Sequence, residues 1–242
     1  DSYSTGNVTA DGSYVGGFIG EHQAGNITDS YSTGDVKAGY YDEDEEEFVY
    51  RESYVGGFIG YNNGGIITFD PESMEGGLPD FGSVGGGEYV GGFIGRNANS
   101  NLDGFFTNND VIATGSYAGG LIGYNTNANI LNSYSTGTEI EGDGDYVGGL
   151  IGYHVSGNIT DSYSTRDVSG DEYVGGFMGF HDNGNITDSY STGDVTAVNY
   201  AGGFIGRNNH GTITYDSELV WQNYGDVSGA TYIGGMIGYN DS

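Results

Sequence analysis

The phrase Tyr-Val-Gly-Gly-Phe-Ile-Gly-Tyr recurs eight times, with variants, and nothing else in the chain restricts its fold so tightly. Its Gly-Gly pairs begin at Gly16, Gly56, Gly91, Gly119, Gly148, Gly175, Gly202 and Gly234. Successive spacings are 40, 35, 28, 29, 27, 27 and 32, so a unit of about 27 residues carries insertions in some copies. A second phrase, Gly-Asn-Ile-Thr-Asp-Ser-Tyr-Ser-Thr-Gly-Asp-Val, lies between copies of the first at 25–36 and 184–195. Self-similarity at such a period indicates a solenoid or a similar array.

A helical solenoid fails on residue type. Two adjacent glycines in every unit would cost a helix about 1 kcal/mol each, whereas the Val, Ile, Thr, Tyr and Phe between them suit strands. The expected fold is all-β: a parallel β-solenoid (β-helix) of about eight coils, with three short strands per coil. It forms one domain over 1–242, with insertions at 37–53, 69–88 and 215–231. A corner near Asp29 directs Ile27, Ser30, Ser32 and Val36 inward and Tyr31 outward. Alternation in the first phrase directs Val15, Gly17 and Ile19 inward, which leaves Phe18 outside. Either the glycine pair makes a bulge that turns Phe18 inward as well, or that face is covered. In-register stacking places Val15, Val55, Val90, Ala118, Val147, Val174, Ala201 and Ile233 in one column. Ile19, Ile59, Ile94, Ile122, Ile151, Met178, Ile205 and Ile237 form another.

The chain has no cysteine. A secreted protein of this size without disulfides needs another source of rigidity. Its 34 acidic residues against five basic ones give a net charge of −29. Such a charge disfavours nucleic acid and anionic membrane surfaces, and no apolar run is long enough to insert into a membrane as a helix. It fits a high-salt habitat, or an ordinary acidic secreted protein. The chain starts and stops inside a coil and has no initiator Met. It therefore reads as a piece of a longer solenoid, as a unit whose ends meet other copies, or as a chain with frayed ends.

Candidate sites are few. Asp42, Glu43, Asp44 and Glu45, in the acidic run 42–47, are candidate calcium ligands, set against the reading of a solvated loop. Asn7, Asn26, Asn158 and Asn185 head Asn-x-Thr sequons and are candidate glycosylation sites, although a repeated corner asparagine creates sequons unaided. Asn240 heads a fifth. Tyr31, Tyr163 and Tyr190, stacked outward, and Trp221, the single tryptophan, make up a candidate binding face; Trp221 could equally cover its own insertion. His22, His154 and His181 fall where other copies have Asn62, Asn97, Asn125, Asn208 and Asn240, which suggests a polar corner column rather than a metal site. No HExxH, GxSxG or P-loop pattern occurs. The chain is therefore not expected to be an enzyme, and no cofactor other than calcium is expected.

The two phrases together resemble the GLUG-motif repeat family, whose Gly-Leu-x-Gly core is approached by GGLIG at 119–123 and 148–152. The resemblance implies a β-solenoid in a large secreted or surface-anchored protein, often of adhesin type, and brings no catalytic residues. The expected role is an extracellular structural and adhesive segment of a cell-surface adhesin or filament. Its expected partners are other copies of itself, end to end or side by side, or surface glycans. The alternatives are a virus fibre or spike that binds a receptor, and a polysaccharide-acting β-helix enzyme.

Overall fold

The computed structural model describes residues 2–42, 44, 46–69, 79–215, 225–229 and 231–241. Trp221, Glu43 and Glu45 lie outside them.

Every repeat phrase stacks on its counterpart in the next coil, and every ladder pair between coils is parallel. Tyr146, Val147 and Gly148 pair with Tyr173, Val174 and Gly175; Ile151 pairs with Met178 and His154 with His181. Two sheets of eight strands run the length of the molecule, so the solenoid has eight turns. Each full coil breaks into five short strands rather than the three expected. In one coil these sides are Tyr146–Gly148, Ile151–His154, Asn158–Thr160, Tyr163–Ser164 and Asp167–Gly170. Strands of two to four residues are too short for an alternating apolar pattern to separate them.

Corners explain the residues between strands. Asp29, Asn132, Asp161 and Asp188 turn from the third side to the fourth with φ of 46–51°, a left-handed conformation that Asp and Asn tolerate better than other non-glycine residues. The corner at Gly17-Phe18 settles the direction of the phenylalanine. The N–H groups of Phe18 and Ile19 both donate to Phe58 O, at 3.0 and 3.1 Å. The chain bends there, and both side chains turn inward. Phe58, Leu121, Leu150, Phe177 and Phe204 are accordingly buried.

The interior has two apolar lobes. One holds this Phe/Leu column with the isoleucines of the second and third sides. The other holds the valines and alanines of the first and fifth sides. Between them, serines of the second phrase press on glycines of the first. A Cβ placed at Gly17, Gly120 or Gly149 would collide with Ser32, Ser135 or Ser164. The two phrases therefore recur together because each fits the other across the core.

The insertions are narrower than their sequence limits. Lys37 and Ala38 still pair with Thr9 and Ala10. Val84 pairs with Val36 and Val111, and Val227 pairs with Val195. The first insertion is an antiparallel hairpin in which Gly39–Asp42 pairs with Glu47–Tyr50. Among the described residues no fourth-side strand lies between Thr68 and Val84 or between Thr214 and Val227, and that side is split into ladders of two and four strands.

Candidate functional site

Outward columns of aromatic rings are the main surface feature of the solenoid. Tyr31 stacks on Tyr3 at 5.6 Å between ring centres. Farther along, Phe106, Tyr134, Tyr163 and Tyr190 stack at 5.4, 4.9 and 5.1 Å. The second insertion separates these runs, so Tyr163 and Tyr190 share one column and Tyr31 belongs to another. Burial raises the pKa of Tyr134 and Tyr163.

A longer column follows the first tyrosine of the phrase. Tyr14, Tyr54, Tyr89, Tyr117, Tyr146, Tyr173, Tyr200 and Tyr232 stack without a gap, with ring centres 4.6–5.4 Å apart. Beside it runs a column that sequence reasoning missed: Glu21, Tyr61, Arg96, Tyr124, Tyr153, Phe180, Arg207 and Tyr239. Tyr124 and Tyr153 meet Tyr117 and Tyr146 edge-on, at 85° and 83°. Both columns repeat at the coil spacing of about 4.8 Å; from Tyr89 onward their opposed tilts make a herringbone, whereas Tyr61 lies nearly parallel to Tyr14 and Tyr54, at 21° and 28°. Arg96 and Arg207 take ring positions in the second column. The Arg96 guanidinium lies 5.2 Å from the centre of Tyr61 and 5.4 Å from that of Tyr124, and Arg207 lies 5.1 Å from Phe180, all within cation–π range. Burial pushes the Tyr153 phenol up to about 12. The missed signal was the last tyrosine of the phrase, which the bend at the glycine pair brings back beside the first.

The polar column is internal. Asn62 Nδ2 donates to Gly65 O (3.2 Å) and to Asn97 Oδ1 (3.0 Å). Asn97 Nδ2 donates to Ser100 O (2.7 Å) and Asn125 Oδ1 (2.9 Å). Each amide thus closes the turn of its own coil and links to the next, using both of its hydrogens. Asn125 Nδ2 donates to Ala128 O and reaches His154 Nδ1 at 3.0 Å. His154 Nε2 therefore carries the proton, which it donates to Gly157 O at 3.2 Å. A neutral imidazole has one hydrogen, so the link stops there. His181 Nδ1 donates to Asn208 Oδ1 at 2.9 Å, and its buried Nε2 has no partner. Burial, with mutual repulsion second, pushes His154 down to about 3. Burial also lowers His181 to about 4, against the opposing bond to Asn208. Both are neutral near pH 7, and the polar-column reading holds.

The remaining candidates stand apart. Asp42 and Asp44 sit at the tip of the first hairpin, where Asp44 N–H donates to Asp42 Oδ1 at 2.9 Å. Among the described residues no group of three or more acidic, His or Cys side chains is placed to hold a metal. Asn7, Asn26, Asn158 and Asn185 are all exposed. Asn158 Oδ1 accepts from Asn185 N–H at 3.3 Å, so the sequon residues also form rungs. Arg166, where other copies have Gly34, Gly137 or Gly193, is fully buried. Only its Nη1 has a partner, Glu139 O at 3.5 Å. Burial lowers its pKa to about 10, which nearby Asp110 partly opposes.

The family model of the GLUG motif matches the chain at residues 11–37, 114–140, 143–169 and 170–196. Each matched stretch is one coil's worth of chain, running from the approach to a first phrase into the following fifth side. No curated protein and no solved structure matches the chain.

Proposed function

We propose that this GLUG-motif repeat protein is a rigid, non-enzymatic segment of an extracellular adhesin or filament. It would hold its neighbours at a fixed distance and meet surface glycans or other copies along its aromatic faces. One observation carries this reading: an uninterrupted outward column of eight tyrosines, flanked by shorter aromatic runs, spans the length of a chain whose net charge is −29. Rings exposed on an otherwise acidic surface favour neutral or like partners that reach the columns, and the charge disfavours polyanions. Repeated register supports a mechanical role, because every coil completes its neighbour's backbone bonds and pulling must break a whole ladder at once. Depletion of basic residues supports a salt-rich exterior. The folded state should gain stability as salt screens the acidic repulsion.

The test is location followed by contact. Antibody against this chain should label intact, unpermeabilised source cells. Beads coated with the protein should adhere to neutral polysaccharide or to one another, and replacing Tyr163 and Tyr190 with Ala should weaken adhesion at least severalfold. Label found only after permeabilisation would overturn the extracellular reading, and adhesion indifferent to both tyrosines would overturn the aromatic face.

A further inference from the structure

A chain without cysteine cannot staple its coils with disulfides, yet it has 22 tyrosines. Many of them are stacked rung upon rung. Tyr134 and Tyr163 lie 4.9 Å apart with ring planes 4° from parallel, and Tyr163 and Tyr190 lie 5.1 Å apart at 5°. All three are half-buried, so their outer edges face solvent. Parallel rings at this separation bring the carbons ortho to the hydroxyls of neighbouring rings into van der Waals reach. The backbone rungs beneath are about 4.8 Å apart, within the Cα separation that a disulfide spans. A biaryl link is longer, so the joined rings must bow outward, which the open edge allows.

We propose that Tyr134, Tyr163 and Tyr190 form a site for oxidative tyrosine–tyrosine coupling, which joins successive coils by carbon–carbon bonds. Each phenol of a pair loses one electron and one proton to a one-electron oxidant, such as a haem peroxidase supplied with hydrogen peroxide. The two phenoxyl radicals join at their ortho carbons. The two ring hydrogens at that bond then shift to the oxygens, which restores both aromatic rings and both hydroxyls. Per link, two hydrogen atoms leave the protein and one peroxide becomes two waters. Tyr163 is the central member, because among the described residues it is the one of the three stacked on a tyrosine on each side. Phe106, next to Tyr134 at 5.4 Å, has no phenol and ends the series. Coupling removes two electrons and two protons per link, so the links form only when an oxidant is supplied. This column is more open than the Tyr117–Tyr146 column, whose rings carry a second layer edge-on.

The experiment uses the full chain, dilute, with light-activated ruthenium tris-bipyridyl and persulfate as the one-electron oxidant. It is run on the folded protein and again in urea. The expected product is a monomer with dityrosine fluorescence that has lost two hydrogen atoms per link. Peptide mapping should give the pairs Tyr134–Tyr163 and Tyr163–Tyr190. Their yield should fall at least tenfold in urea. The near-isosteric Tyr163→Phe should remove both pairs, since Tyr134 and Tyr190 are then two rungs, or about 10 Å, apart. Tyr190→Phe should remove only one. Coupling found only between molecules, pairs drawn at random along the chain, or an undiminished yield in Tyr163→Phe would each overturn the proposal.

Discussion

Two sets of coils solve the same corner differently. Where the buried column holds Asn62, Asn97, Asn125 or Asn208, the residue two positions on is left-handed: Gly64, Asn99, Asn127 and His210, with φ of 77, 57, 52 and 64°. Where it holds His22, His154 or His181, the positive φ moves one residue further, to Gly25, Gly157 and Gly184, at 100, 120 and 112°. An amide is short and needs the turn to bring a carbonyl to it, whereas an imidazole reaches farther. The next coil registers the difference too. A Cβ at Gly65 would overlap the His22 ring, and one at Gly211 would overlap the His181 ring. Above Asn62 and Asn97 the corresponding positions are Ser100 and Ala128. Side chain and turn therefore vary together in each of these coils, and the upper neighbour follows above His22, Asn62, Asn97 and His181.

Removing the amide from an asparagine coil should have the largest effect. Asn125→Leu leaves one hydrogen of Asn97 Nδ2, and Ala128 O and His154 Nδ1, without a partner. At 1–3 kcal/mol for each of the three buried orphans, the loss should be roughly 3–9 kcal/mol in denaturant unfolding. His181→Leu breaks only the bond to Asn208 and should cost about 1–3 kcal/mol. Equal costs would end the distinction between the two sets.

Gly211→Ala tests the fit between coils. It should destabilise by about 1–3 kcal/mol through overpacking against His181, and His181→Asn should recover most of that loss, as Asn97 already accommodates Ala128. A double-mutant cycle reads the coupling; simple additivity would break the rule.

Acid should weaken the histidine coils selectively. The folded-state pKa values of about 3 and 4 lie below the ordinary 6.5, so between them the unfolded chain binds more protons. The stability contributed by neutral His154 and His181 is full above pH 6.5 and is lost as pH falls towards 4. The slope is up to about 1.4 kcal/mol per pH unit for each. Unfolding measured across pH 7 to 4 should be less steep in a variant carrying His154→Asn and His181→Asn. The smallest effect belongs to the turn itself. Ser156→Asn should add several tenths of a kcal/mol only in a His154→Asn background, where the left-handed residue is wanted two positions on.

Much of this was readable from the residues. Gly-Gly spacing gave the register of every coil, because a parallel ladder stacks like on like. Asp29 marked its corner because few residue types accept left-handed φ. Tyr31, Tyr163 and Tyr190 pointed outward as expected. The five-sided coil was not legible, since two-residue strands have no period. The inward turn of Phe18 was one of two readings the residues left open, because it depends on two N–H groups sharing the carbonyl of Phe58. The partner column, Tyr61 through Tyr239, was hidden behind that same bend. The pairing of His with a shifted glycine could be seen in the sequence only once the turn angles were known.

The serine-against-glycine waist has a consequence for how such a chain can diversify. With Ser164 touching Gly149 across the middle, the coil has no lumen, and a guest cannot be housed inside it. New chemistry has to be added to the outside, by lengthening a corner or by changing the residue that caps a rung. The protein is a tape to be written on along its edges, not a vessel to be filled.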